Sequence, residues 1–367
     1  MTIFEVIGMG AKKYGGFEKY ILEESRQLTQ KGHKLIVVFD REPLAKDYIS
    51  DLIQSGAEYV IIEQKSKFEF AKAFWNLLRK FRPEIVHTNF SSNLFYALPL
   101  AWLAGAKKRI ATEHCLPEGK TLRQKLVNQA QVLVAQTVLP VSNMSTKAIK
   151  KSVLFGRSKV RTLYLGVENK VYDKKTARIE LNIYPDTIAL MNIAYHNPVK
   201  GVDVLLEAMN IIVNKRGIKD IVLYQIGGGQ TGKDTEYLHE LAKQYNIESN
   251  IVWLGIRNDV PRLLAAGDIY VQPSRSEGIP LSIMEASIAS LPVVATDAGG
   301  NPEAAVQGVN ALLVGKENPD ALAEAIISLY FDSEMRKRFG ASGRKLALEK
   351  FCLSNQVSSL IRDHYNI

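Results

Sequence analysis

Late in the chain two glutamates stand with seven residues between them, in Pro273-Ser274-Arg275-Ser276-Glu277-Gly278-Ile279-Pro280-Leu281-Ser282-Ile283-Met284-Glu285-Ala286. Pro280 suits the first position of a helix, where a missing N–H costs nothing because that N–H would be unpaired anyway. Glu277 then falls in the loop ahead of the helix, and Glu285 about five residues, or a turn and a half, inside it. One carboxylate can face a ligand at the helix mouth while the other accepts hydrogen bonds from hydroxyls beside it. Between them the backbone of Gly278, Ile279, Pro280 and Leu281 can cradle phosphate, since a helix start concentrates unpaired N–H groups and positive dipole. A sugar and a ribose joined by a diphosphate have that order of needs. A solvated Glu277 and a surface Glu285 are the plainer alternative.

A second candidate follows the first apolar run, in Gly8-Met9-Gly10-Ala11-Lys12-Lys13-Tyr14-Gly15-Gly16-Phe17-Glu18. Glycines between a strand and a helix let the backbone approach a ligand, and the helix start again offers N–H groups. The loop partly resembles a dinucleotide fingerprint, with Asp40 as the ribose acid. The third glycine of that pattern, however, falls at Lys13. A tight turn remains open as its purpose.

These segments need strands behind them. Apolar runs predict strands at Ile3–Ile7, Lys34–Phe39, Tyr59–Ile62, Ile85–Thr88, Arg109–Thr112 and Thr137–Val141. Amphipathic stretches such as Phe17–Lys31 and Phe68–Phe81 lie between them. A polar, turn-rich stretch over Gly166–Glu180 reads as a linker. A second series of strands then runs through Ala189–Ala194, Ile221–Ile226, Ile251–Leu254, Ile269–Val271, Pro292–Thr296 and Ala311–Val314, alternating with helices. Such β-α alternation makes parallel sheets covered on both faces, which bind ligands at the carboxyl ends of their strands. The expectation is an α/β chain of two doubly wound, Rossmann-like domains. The first covers 1–165, with 351–367 packing back on it as a C-terminal helix, and the second covers 166–350.

The paired glutamates in their E-G-x-P-x-x-x-x-E-A setting resemble the signature of family-4 retaining glycosyltransferases with the GT-B fold. The resemblance covers nearly the whole chain. Gly15-Gly16-Phe17-Glu18 is similar to the family's N-terminal glycine loop, and Pro83-Glu84-Ile85-Val86-His87-Thr88 to its fourth-strand segment. Pro198-Val199-Lys200-Gly201-Val202-Asp203 is similar to its lysine-glycine motif, and Ala298-Gly299-Gly300-Asn301-Pro302-Glu303 to the segment after the glutamates.

The resemblance implies two domains facing across a cleft, with roles for particular residues. Lys200 would contact the donor diphosphate, Glu285 the ribose hydroxyls, Glu277 the transferred sugar and Gly16 the diphosphate or acceptor side. His114, in Ala111-Thr112-Glu113-His114-Cys115, matches the family's cleft histidine and would hydrogen-bond the sugar, with a structural histidine as the alternative. Arg257 would flank the base, unless it is simply solvated. The family often carries arginine where this chain has Tyr195, and His196 is the neighbour that would partly replace it. The implied function is transfer, with retention, of a hexose or N-acetylhexosamine from a nucleotide sugar, with UDP favoured. The acceptor would be a glycan or lipid-linked molecule in cell-surface polysaccharide synthesis. No Asp-x-Asp motif is present, so neither metal nor cofactor is expected. A non-catalytic nucleotide-sugar-binding partner subunit and a nucleotide-sugar epimerase are the rival readings.

Composition narrows the partners. Residues 1–165 hold 26 Lys+Arg against 14 Asp+Glu, a surplus of 12, whereas the whole chain of 367 residues carries +9. The first half therefore suits an anionic partner. No nucleic-acid-binding motif is visible, so nucleic acid is not expected, and an anionic membrane surface is the remaining candidate beside a merely solvated basic face. Lys107-Lys108-Arg109 and Lys120 to Lys125 are the segments that would meet it. Cys115 and Cys352 have neither disulfide nor zinc spacing. The longest apolar run, Leu94 to Ala106, is about thirteen residues, short of the 20 or so that span a membrane. With no leader ahead of Ile3, the expectation is a soluble cytoplasmic protein, able to associate peripherally with the inner face of the cell membrane.

Overall fold

A computed structural model describes residues 1–8, 10–11, 14–63, 66–89, 94–114, 121–229 and 232–367. Met9, Lys12, Lys13, Cys115 and Lys120, named above, lie outside the described residues. The described chain forms two compact units, Met1–Gly166 with Leu353–Ile367, and Val167–Cys352.

In the first unit six strands form one parallel sheet: β1 (Thr2–Ile7), β2 (Lys34–Phe39), β3 (Glu58–Ile61), β4 (Ile85–Asn89), β5 (Lys108–Glu113) and β6 (Thr137–Pro140). They lie in the order β3-β2-β1-β4-β5-β6. The connecting helices are α1 (Gly16–Gln30), α2 (Lys46–Gln54), α3 (Lys67–Phe81), α4 (Leu94–Leu103), α5 (Leu122–Val134) and α6 (Asn143–Ser152). Phe4, Val6, Ile36, Val38 and Val86 pack one sheet face against Phe70, Phe74 and Leu78 of α3 and Leu98 of α4. Their burial explains the near-continuous apolar strands, as a parallel sheet covered on both faces requires.

The second unit repeats this plan with β7 (Ile188–Ile193), β8 (Ile221–Ile226), β9 (Ile251–Gly255), β10 (Ile269–Gln272), β11 (Val293–Thr296) and β12 (Ala311–Val314). Read from β9, the order β9-β8-β7-β10-β11-β12 is that of the first sheet. Its helices are α7 (Lys174–Glu180), α8 (Val202–Asn210), α9 (Lys233–Gln244), α10 (Val260–Ala265), α11 (Leu281–Ile288), α12 (Asn301–Ala304), α13 (Pro319–Phe331) and α14 (Ser333–Lys350). The chain ends in α15 (Leu353–Ser359) and a wider turn over Leu360–Tyr365, both in the first unit. In each unit the strand order reverses direction once, between β1 and β4 and between β7 and β10. Such a reversal opens a crevice at the strands' carboxyl ends, the usual ligand position in open α/β sheets.

Two local expectations change. The stretch read as linker contains α7, which starts because the Asp173 carboxylate accepts the Thr176 N–H at 2.7 Å, and which buries only Ala177. A helix with so little buried surface lacks the apolar periodicity by which helices are recognised. Pro280 is not the first helical residue: it is the extended residue before the helix, at ψ 103°, and Leu281 opens α11.

Candidate active site

In the second unit the residues of interest lie in the loops after β7 and β10, at the reversal point. Beyond β7 the Asn197 side chain accepts the Lys200 N–H at 3.2 Å and closes a short turn over Pro198–Lys200. Gly201 follows at φ 66°, and a Cβ there would sit 2.2 Å from the Pro273 carbonyl oxygen. Only glycine lets the two loops rest on each other.

Arg275 fastens them. Its backbone N–H donates to the Val199 carbonyl at 2.8 Å. Its guanidinium grips both Asp203 oxygens at 2.8 and 2.7 Å and also bonds Glu317 and the Pro198 carbonyl. A planar fork is suited to such bidentate holding. Lys200 is thereby delivered to Glu277, with Nζ 2.7 Å from Oε1.

Glu277 is buried, and the same Oε1 also accepts from Ser274 Oγ at 2.7 Å and Gln272 Nε2 at 2.9 Å. The Gln272 carbonyl in turn accepts from Tyr270 at 2.5 Å and Ser282 at 3.0 Å. Behind this loop Gly299, at φ 55°, would place a Cβ 1.9 Å from the Glu277 carbonyl oxygen, and Gly300 one 2.1 Å from that of Gly278. The Gly300 N–H bonds Glu277 O at 3.1 Å, so the paired glycines form the floor under the glutamate loop. Glu285, the fifth residue of α11, is half-buried. Burial first, then the nearby charges of Glu277 and Glu285, push the Tyr270 phenol up. Gly278 is half-buried, while Ile279 and Pro280 are buried.

His196 and Arg257 take up other contacts. The buried His196 packs edge-on against Trp253, and its Nδ1 lies 2.8 Å from Thr235 Oγ1. Thr235 Oγ1 also accepts the Gly229 N–H at 3.0 Å, which ties the imidazole to the loop after β8. Desolvation and His239 hold the His196 imidazolium form down, against the pull of Asp234. A cavity of about 290 Å³ beside it is lined by Asn197, Asp203, Tyr237 and Arg275, among others. Arg257 is exposed and makes a bidentate pair with Asp259 at 2.8 and 2.6 Å.

In the first unit His114 directly follows β5. Its Nε2 lies 2.9 Å from Asn89 Oδ1 at the end of β4, and its ring meets Phe17 edge-on at 5.0 Å. Phe17 is held there because Gly16 opens α1, whose start is closed by Glu18 accepting the Gly15 N–H at 2.9 Å. Burial, then His87, lowers the His114 pKa to about 3, so the ring is neutral at physiological pH. Asp40 is gripped by Arg41 at 3.0 Å through both oxygens, which occupies the acid that a dinucleotide site would use.

Sequence reasoning did not single out Arg275, Asp203, Asn89 or the Tyr270–Gln272–Ser274 ladder. The ladder had a signal. Polar groups at alternate positions, running out of a strand that is otherwise Ile269 and Val271, share one face of the sheet.

Two family models match this chain: "Glycosyltransferase Family 4" over residues 14–170 and "Glycosyl transferases group 1" over residues 173–346. The chain is 26% identical over 371 residues to spore coat protein SA of Bacillus subtilis, spanning 95% of this chain and 94% of the relative. It is 23% identical to the UDP-Gal:alpha-D-GlcNAc-diphosphoundecaprenol alpha-1,3-galactosyltransferase of Escherichia coli, over 86% of this chain and 85% of that one. Among solved structures, Anabaena HepE in complex with UDP superposes with a TM-score of 0.86 at 17% identity, over 100% of both chains. The two family models, with two Rossmann-like units of one strand order, identify a glycosyltransferase of the GT-B architecture. Within that class, this chain belongs to the family-4 glycosyltransferases.

Proposed function

We propose that this enzyme transfers a hexose or N-acetylhexosamine, with retention of anomeric configuration, from a nucleotide sugar to a glycan or lipid-linked acceptor in cell-surface polysaccharide synthesis. The observation that carries the reading is the contact of Lys200 with Glu277 at the mouth of α11, one and a half turns before Glu285. A cation, a helix start and two carboxylates in sequence match diphosphate, sugar and ribose. Lys200 exchanges its carboxylate partner for the donor diphosphate, leaving Glu277 to accept from the sugar hydroxyls. Charge on the departing nucleoside diphosphate is then offset by Lys200 and the first N–H groups of α11. Glu285 receives the ribose, and His114, neutral, hydrogen-bonds the sugar from the first unit. Retention, with no carboxylate nucleophile positioned among the described residues, fits a front-face displacement in which the leaving phosphate assists the acceptor's deprotonation. A fixed lysine in this role needs no divalent ion.

UDP is the favoured nucleotide, supported by the E. coli relative named for UDP-Gal and by the UDP held in the Anabaena neighbour. Titrating the protein with UDP, GDP and ADP sugars by calorimetry tests the site. Saturable binding of a UDP sugar, lost in Glu285→Ala, is expected; equal binding by the variant would sink the assignment.

For the acceptor side the surface of the first unit supports an anionic bilayer. Leu122, Leu126 and Leu133 on α5 and the neighbouring Leu154 and Phe155 are exposed, beside Arg123 and Lys125. Apolar side chains among cations suit the interface of an acidic membrane. Among the described residues no helix is long and apolar enough to cross one. Co-sedimentation with vesicles rich in phosphatidylglycerol at low salt is expected, and recovery of all the protein in the supernatant refutes this attachment.

A further inference from the structure

A chain of buried polar groups runs through the first unit to His114, and the proposed chemistry does not use it. Glu5 is the one charged residue of β1, fully buried. Its Oε2 lies 2.6 Å from Asn89 Nδ2, and its Oε1 2.6 Å from His87 Nδ1. His87 Nε2 reaches Thr112 Oγ1 at 2.7 Å. From the far end of the sequence Tyr365 places its hydroxyl 3.1 Å from Glu5 and 2.7 Å from Glu24.

Proton positions follow from these contacts. Burial raises the Glu5 pKa to about 8 and lowers that of His87 to about 4, so the close pair is a carboxylic acid beside a neutral imidazole and not an ion pair. Oε1 shares its side of the carboxyl with His87 Nδ1 and with the Tyr365 hydroxyl, itself 2.8 Å from that nitrogen, whereas Oε2 faces Asn89 Nδ2 and accepts from it. An acceptor there obliges Asn89 to present its NH2 to Glu5 and therefore its carbonyl to His114. A carbonyl can only accept, so His114 must offer an N–H at Nε2.

We propose that Asn89 and Glu5 are positioning residues that hold His114 in its Nε2–H tautomer, with Tyr365 completing their support. The lone pair is then fixed on Nδ1 whatever the ligand, as second-shell partners fix ring orientation elsewhere. A neutral imidazole not so held divides between two tautomers, which present a ligand with opposite donor and acceptor patterns. The catalytic consequence rests on the proposed contact between His114 and the sugar; the tautomer itself does not.

The test combines nitrogen-resolved NMR of the imidazole rings with steady-state transfer kinetics, the His114 signal being assigned by its loss in His114→Gln. In the wild type the ring stays in the Nε2–H form from pH 5 to 8. Asn89→Leu is expected to give a tautomer mixture and lower kcat about ten-fold, the worth of one neutral hydrogen bond, with less change in donor KM. Glu5→Gln, which still accepts from Asn89, keeps the wild-type spectrum, whereas Glu5→Leu does not. If Asn89→Leu does not fold, Asn89→Asp serves: a carboxylate against Nε2–H raises the titration point of His114 and gives kcat/KM an acid limb. An unchanged His114 spectrum in Asn89→Leu, or an unmoved titration in Asn89→Asp, overturns the proposal. If His114→Gln transfers at the wild-type rate while the tautomer results hold, the positioning stands and the role of His114 in the reaction falls.

Discussion

Replacing Glu5 by glutamine changes how stability depends on pH, and the size of the change follows from its burial. The carboxyl pKa is raised from 4.5 to about 8, chiefly by desolvation, which the hydrogen bonds from Glu24, Tyr365 and Asn89 only partly offset. A group raised in the folded state keeps its proton there while the unfolded chain has lost it. Its stabilising share is therefore complete below pH 4.5 and is lost as pH rises through about 8. His87 acts with the opposite sign: its pKa, lowered to about 4, costs stability as pH falls below 6.5. The window from pH 6.5 to 8 leaves His87 out and reads Glu5 together with its neighbour Glu24, whose carboxyl burial and then the Glu5 charge also hold well above the usual range. Glu113, pushed up to about 7, also titrates there, but it is present in both proteins and cancels in the comparison. At 1.36 kcal/mol per unit for one proton, and with Glu5 half-titrated at the upper end, the wild type should lose roughly 1.5 kcal/mol more than Glu5→Gln across the window. Urea denaturation at four pH values reads this directly. Parallel stability curves for the two proteins would refute the reasoning, since they would mean that Glu5 ionises in the folded state as it does in the unfolded chain.

Lys200→Ala should lower kcat roughly 10²-fold to 10³-fold, the loss seen when a preorganised charge is removed from a transition state; initial rates at saturating donor check it. Gly299→Ala forces a Cβ into the Glu277 carbonyl and a residue into φ 55°. It should cost about 2–4 kcal/mol of stability by urea denaturation and abolish donor binding. Tyr195→Arg adds a cation beside the Lys200 turn and should tighten UDP binding about ten-fold in calorimetry, the worth of one charge-assisted hydrogen bond. Transfer should persist in excess EDTA, and loss of turnover that a divalent ion restores would refute the metal-free reading.

Periodicity and apolar runs located the strands because both sheets are covered on two faces: Lys34–Phe39, Ile221–Ile226 and Ala311–Val314 have the bounds that the sequence predicts. Helices with a thin apolar stripe escaped. Lys174–Glu180 is the example, for a cap residue and one buried alanine leave little pattern in a polar stretch. Of the candidate site, the glutamate loop was legible since its spacing along one helix is local. The Arg275–Asp203 clamp was not, because its partners are 72 residues apart and arginine in a polar loop looks like any solvated cation. His114 could be singled out, but its partners could not. Asn89 and Glu5 sit on strands whose register, Glu5 opposite His87 and Ile7 opposite Asn89, exists only once the sheet is assembled.

The return of Leu353–Ile367 to the first unit has a consequence for timing on the ribosome. Residues 167–352 can fold as soon as they emerge, but the unit that holds residues 1–166 must wait for residues 353–367. At ordinary elongation rates of about 5–20 residues per second, the interval from Gly166 to Ile367 is about 10–40 s. Throughout it, Glu5, Glu24 and His87 lack the tyrosine that closes over them. The unit begun first is thus completed after the one that follows it. A frameshift at codon 353 would strike the unit that carries His114 and leave the one that carries Lys200, Glu277 and Glu285 whole.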